Sequence, residues 1–435
     1  MVFRQVALLS VVVVAVMPAK AQTERQMTVD ELFQLVESNS KTLQEQKISV
    51  EFAQKGIEAA RAQRLPDVNA SLSASYNGNV VVMDRDFTNA QGFSSPHFGN
   101  SFALEAQQVV YAGGAIDAGI RMAELQHDMA QNYEHSTLNN ERFKALGQYL
   151  DLFKIHNRKQ VYEQNIALTS RLIDDIRAKQ EQGMALKNDV TRYELQMETL
   201  RLGLRRLQDQ QAILNHQLCN TLGLNNVDIK PDTTLIDMAL AQEGEGYWQQ
   251  AALAASPQME QSELSTQMAE QQLRIAKSEL LPKVAVVAAD NFNGPFTYDI
   301  PPIDKNINYW YVGVGLKYNL SSLFKQNKKV SQAKTGVQRS QEQQRVVAES
   351  LDNQVQQAWT LYQQTYADLD TQRKSVQLAR QNYQVVSDRY LNQLALITDM
   401  LDASNILLNA ELLEVDARIS IVYAYYKMKY ISGTL

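Results

Sequence analysis

Cysteine is almost missing from this chain: Cys219 is the one thiol in 435 residues. It cannot make an internal disulfide, so stability has to come from packing, and a buried thiol is its expected state. Histidine is scarce too, and His97, His127, His135, His156 and His216 show no metal-ligand spacing. The sequence has no Gly-rich phosphate loop and no nucleophile motif, which excludes the common enzyme classes and implies neither cofactor nor metal. A net charge of −6 with 21% charged residues describes an ordinary mildly acidic protein, and nothing in it suggests nucleic acid. Beyond the first residues no apolar run reaches the ~20 residues of a membrane-spanning helix. Proline is confined as well: all 9 lie outside two tracts, residues 113–222 and 323–435.

What is present starts with residues 1–21, where Arg4, an apolar run from Val6 to Val16 and the small-x-small site Ala19-Lys20-Ala21 make a secretory signal peptide. The run has about half the ~20 residues a membrane anchor needs. No cysteine follows the cleavage site, so no lipid anchor is expected there.

The remainder says nearly the same thing twice. AQKGIEAARAQRLPDVNASLSASYN, from Ala53, returns as AEQQLRIAKSELLPKVAVVAADNFN, from Ala269, with Ala60/Ala276, Leu65/Leu281, Pro66/Pro282 and Val68/Val284 shared. Later, MALKNDV (from Met184) matches LALITDM (from Leu394), and Leu222-Gly223 matches Ser432-Gly433. Two copies of a helix, strand, strand, helix-hairpin unit are therefore expected, at 22–224 and 251–435, with residues 225–250 as a connection packed at the waist of the body.

An interior proline costs a helix about 3 kcal/mol, so the proline-free tracts permit uninterrupted helix. Val355, Tyr362, Leu369, Val376, Tyr383 and Tyr390 fall seven apart, and Val190, Tyr193, Met197, Leu200, Leu204 and Leu207 alternate steps of three and four, as in coiled coils. Each tract breaks once, near residues 181–189 and 392–400. Asn188 and Thr398 read as N-caps, with Asp189 and Asp399 in the first turn, where a negative charge suits the dipole. Two hairpins follow, with first arms at 113–181 and 323–391. The return arm, 188–222, is half as long, so it and the opening helix, 28–64, are expected to stack end to end beside the long arm.

Four segments alternate instead: DVNASLSASYN from Asp67, and residues 101–111, 283–293 and 310–320. In the first, Val68, Ala70, Leu72, Ala74 and Tyr76 share one face; in the last, Trp310, Val312, Val314, Leu316 and Tyr318 do. The third is less cleanly patterned. Strands of this length with a greasy face and aromatics suit an outer-membrane barrel, which needs more than four strands and hence several chains. A soluble sheet packed under helices is the alternative for these strands.

With these features in place, the chain resembles the TolC-like outer-membrane efflux proteins over essentially its whole mature length. The most specific stretch is YLNQLALITDMLDASNILLNAEL, from Tyr390, similar to the family's second periplasmic turn; GMALKND, from Gly183, is similar to the first. The resemblance implies a mainly α protein with a membrane β-barrel part: a homotrimer with one twelve-stranded barrel above a long periplasmic helical barrel. It further implies a passive exit duct serving a periplasmic adaptor and an inner-membrane transporter, in efflux or type I secretion. Asp399 and Asp402 would form the pore constriction, and Tyr390 with Asp189 a gate hydrogen bond, while Ala395 stands where some members have an arginine that assists closure. Gly183, Met184, Ala185, Leu186, Leu394, Ala395 and Leu396 put small and apolar residues at exposed turns, which suits adaptor contact. A periplasmic adaptor or a secreted coiled-coil protein is the alternative; two hairpins speak against the first and the aromatic-bearing strands against the second.

Overall fold

The computed structural model describes residues 23–232, 243–296, 299 and 301–435. The expected signal peptide, residues 1–21, and part of the expected connection lie outside the described residues. Strand β1 (Thr23–Met27) precedes helices α1 (Val29–Asn39) and α2 (Lys41–Ala62). Then come β2 (Asp67–Tyr76), a small hairpin of β3 (Val80–Val82) and β4 (Gln91–Phe93), and β5 (Phe98–Tyr111). The first helical hairpin is α3 (Ala115–Glu181) and α4 (Lys187–Leu222). After β6 (Val227–Pro231) the pattern repeats as α5 (Glu245–Ala255), α6 (Pro257–Ser278), β7 (Lys283–Gly294), β8 (Ile307–Lys317), α7 (Ser322–Leu391) and α8 (Ile397–Ile431).

The expected opening helix, 28–64, is two helices, because the chain turns extended at Ser40 (ψ 121°), where the side-chain oxygen accepts the Leu43 N–H. Ser256 (ψ 126°) makes the same break between α5 and α6. At 1.5 Å per residue the 67 residues of α3 span about 100 Å without interruption. Both α2 and α4 pack on α3, and they meet end to end where Asn39 Nδ2 donates to the Leu222 carbonyl at 2.9 Å. Likewise α6 and α8 both pack between α3 and α7, meeting where Gly433 closes on Ala255. Four columns result: α2 with α4, α3, α6 with α8, and α7. The heptad positions Val355, Tyr362, Leu369 and Val376 are buried along the last, as are Val190, Tyr193, Met197 and Leu200 on α4.

At the waist, β1 pairs in parallel with β6, and this pair with α1 covers a core of Leu32, Val36, Leu146, Tyr149, Phe153, Leu218 and Ile229. The connection between the repeats thus begins as a strand. Tyr149 braces it: its hydroxyl donates to the Met27 carbonyl (2.7 Å) and accepts the Asp232 N–H (2.8 Å). Cys219 is buried here, its thiol facing the Val227 carbonyl at 3.3 Å and pushed up in pKa by burial, which leaves it unreactive.

The four longer strands form one antiparallel sheet in the order β2-β5-β7-β8. Register places Val68, Ala106, Ala288 and Val312 in one row, and Leu72, Phe102 and Phe292 in another, on the same face. Leu72 is 80% exposed, Tyr76 82% and Trp310 72%, so none of the described residues covers this face. The irregularity of the third strand is Asp290, which stands on the apolar face opposite Trp310 and accepts from Asn308 Nδ2 at 2.8 Å.

Candidate functional site

The two hairpin turns are built alike. After α3, Gly183 takes a positive φ (74°) and the Met184 N–H reaches back to the Lys179 carbonyl at 2.9 Å; after α7, Gln393 does the same (φ 63°) and the Leu394 N–H reaches the Arg389 carbonyl at 2.8 Å. These bonds satisfy carbonyls that a helix end leaves orphaned. The return helices start earlier than the sequence suggested: Leu186 and Leu396, not Asn188 and Thr398, are the caps. The reason is local. Asp189 and Asp399, at the third helical position, accept the N–H of Leu186 (3.1 Å) and Leu396 (3.0 Å), which fixes the helix start two residues upstream.

Of the tip residues, Gly183, Met184, Leu186, Leu394 and Leu396 are exposed, while Ala185 and Ala395 are half-buried. Beneath them Leu172, Ile173 and Ile176 of α3, Val190, Tyr193 and Met197 of α4, and Ile397 and Met400 of α8 form one buried cluster, closed by Tyr383, Val386 and Tyr390 of α7. The second hairpin is folded against the first. Tyr390 is held mainly by this burial, which together with the nearby Asp189 charge pushes its hydroxyl up to about 12. The two residues are therefore neighbours, yet among the described residues no hydrogen bond joins them, the Asp189 carboxylate being engaged by the Leu186 amide.

Asp399 and Asp402 are both exposed on one face of the first turns of α8. Asp402 has no partner within the chain among the described residues, so its charge is available to an ion or a neighbouring molecule. One residue that sequence reasoning missed is Lys179. Its Nζ donates to the Leu391 carbonyl at 2.9 Å and stands 5.6 Å from the Tyr390 ring centre. Its partner is a backbone carbonyl 212 residues away, which no spacing rule reveals. Among the described residues, no group of three or more His, Cys, Asp or Glu is placed to hold a metal ion, and no helix is long and apolar enough to cross a membrane.

A family model described as "Outer membrane efflux protein" matches residues 32–224 and 248–434. No sequence among curated proteins matches it. Among solved structures, the outer membrane protein VceC of Vibrio cholerae superposes with a TM-score of 0.76 at 16% identity, covering 93% of this chain and 96% of that one. CusC, whose structures concern folding and transmembrane channel formation, gives 0.80 at 14% identity, covering 93% and 92%. The CmeC outer membrane channel of Campylobacter jejuni gives 0.73 at 14%, covering 93% and 85%. At such identities the likeness speaks for the fold.

Proposed function

The chain belongs to the outer membrane efflux protein family, a family of outer-membrane exit ducts with a periplasmic helical part and no enzymatic activity, and we propose that three copies assemble around one pore. The observation that carries this reading is the four-stranded sheet, whose end strands β2 and β8 are exposed at every residue and whose apolar face is uncovered by the described residues. An open strand edge is intolerable in lipid, because each unpaired backbone group costs several kcal/mol there. Pairing β8 of one copy with β2 of the next removes all edges and gives twelve strands in three copies.

On this reading the two repeats, 22–224 and 251–435, supply the helical columns of a duct through the periplasm, with 225–250 as the connection. The tips carrying Gly183 to Leu186 and Leu394 to Leu396 take up a periplasmic adaptor, through which an inner-membrane transporter delivers cargo. Asp399 and Asp402 line the narrow end. Tyr390 and Asp189, adjacent here, bond only in some states of the gate, since Asp189 is otherwise engaged by Leu186. Native mass measurement of detergent-extracted protein from the outer-membrane fraction tests the assembly: a mass of three chains is expected, and a soluble monomer sinks the reading. Charged substitutions at Ala185 and Leu394 test the adaptor surface, with export lost and the trimer intact; unchanged export removes it.

A further inference from the structure

At the tip, α7 lays Tyr383, Val386 and Tyr390 against the first hairpin, and two polar groups in that seam act in opposite directions. Leu391 is the last residue of α7, so its carbonyl has no amide partner in its own helix and sits at the negative end of the helix dipole. The Lys179 ammonium supplies that partner from α3, at 2.9 Å, while lying over the Tyr390 ring. Among the described residues no other side-chain hydrogen bond crosses between the hairpins so near the turns; the next is Gln196 Nε2 to Asn405 Oδ1, at 2.8 Å. Tyr193 is the counterweight. It is 1% exposed within the same cluster, and among the described residues its hydroxyl has no hydrogen-bond partner. Such a group is penalised only while buried, and parting the hairpins would give it water.

We propose that this seam is a latch in which Lys179 holds the second hairpin against the first and the unpartnered Tyr193 hydroxyl favours their separation, so that these two residues set how readily the tip opens. The proposal rests on the reading of the chain as a duct narrowed at its tips. Two measurements on the purified full-length protein test it: single-channel conductance in planar bilayers, and hydrogen exchange of the Tyr390, Leu391, Asn392, Gln393 and Leu394 amides.

Lys179→Met is expected to raise mean conductance at least twofold and to speed tip exchange several-fold, with exchange at the waist strands unchanged. Lys179→Arg, which still donates to the Leu391 carbonyl, stays near wild type. Tyr193→Phe, which keeps the ring and removes the hydroxyl, moves both readouts the other way. A Lys179→Met protein with wild-type exchange overturns the latch, as does a Tyr193→Phe protein that loosens like Lys179→Met, since both would then be simple packing residues. A wild-type protein that forms no pore sinks the duct reading alone, because exchange still decides the latch.

Discussion

Gln393 holds, at φ 63°, a backbone conformation that the matching turn of the first hairpin gives to Gly183, at 74°. A side chain in the left-handed region costs about 1–2 kcal/mol, partly offset by the extra freedom a glycine has in the unfolded chain. Gln393→Gly is therefore expected to stabilise the second turn by up to about 1 kcal/mol, seen as slower hydrogen exchange of the Leu394 and Asn392 amides; faster exchange would show that the glutamine side chain makes the turn. At the waist, burial raises the Tyr149 hydroxyl from the usual 10.0 to about 12. Because the folded value lies above the unfolded one, the neutral hydroxyl is favoured on folding. Its contribution is complete below pH 10.0 and is lost as pH climbs toward about 12. Tyr149→Phe is expected to loosen β1 and β6 by about 1–2 kcal/mol at neutral pH and to remove part of their alkaline sensitivity, as read by exchange of the Met27 and Ile229 amides against pH.

Two of the four columns are joined where a break after a short helix meets the end of a return helix, and the second of these joints is the tighter. A Cβ on Gly433, whose φ is 71°, would stand 2.3 Å from the Ala255 carbonyl oxygen. Gly433→Ala therefore strains the turn and pushes α8 off α5, beside the cluster of Trp248, Met428 and Ile431. A red-shifted Trp248 emission with a lower unfolding midpoint is expected; emission and midpoint like wild type would mean that the joint yields freely. The long helices, the heptad faces and the four sheet strands were legible in the sequence because period and proline placement act over many residues. The break at Ser40 was not, because serine is tolerated inside helices and the bend is fixed by packing at Leu222 and by the Ser40 hydroxyl donating to Glu141. The helix starts were read two residues late, since a polar residue beside an aspartate mimics a cap whereas here the aspartate itself reaches back to a leucine amide. Asp189 and Tyr390, expected to share a gate hydrogen bond, lie near the turns with no bond between them among the described residues, while Lys179, bonded to a backbone carbonyl, left no mark in the pattern.

For the whole molecule, the decisive question is what the proposed three copies would do that one cannot. In the proposed trimer, twelve strands close a barrel if β2 and β8 pair across copies, and the same threefold axis would bring three pairs of Asp399 and Asp402 together at the other end. Six carboxylates around one opening attract cations and impede anions. In the single chain the two are unequal, because Asp399 already accepts the Leu396 amide whereas Asp402 has no partner among the described residues. Asp402→Asn therefore removes charge without touching the helix start, and Asp399→Ala removes charge together with a first-turn interaction of about 0.3–1 kcal/mol. Single-channel recordings with a trivalent metal ion on the periplasmic side separate the two roles. Block is expected to weaken in Asp402→Asn with tip exchange unchanged, and to weaken in Asp399→Ala with faster exchange at Leu396. The double variant should conduct without block while keeping the mass of three chains. If the double variant is blocked like wild type, the carboxylates serve only the helix start and the narrowest point lies elsewhere along the duct.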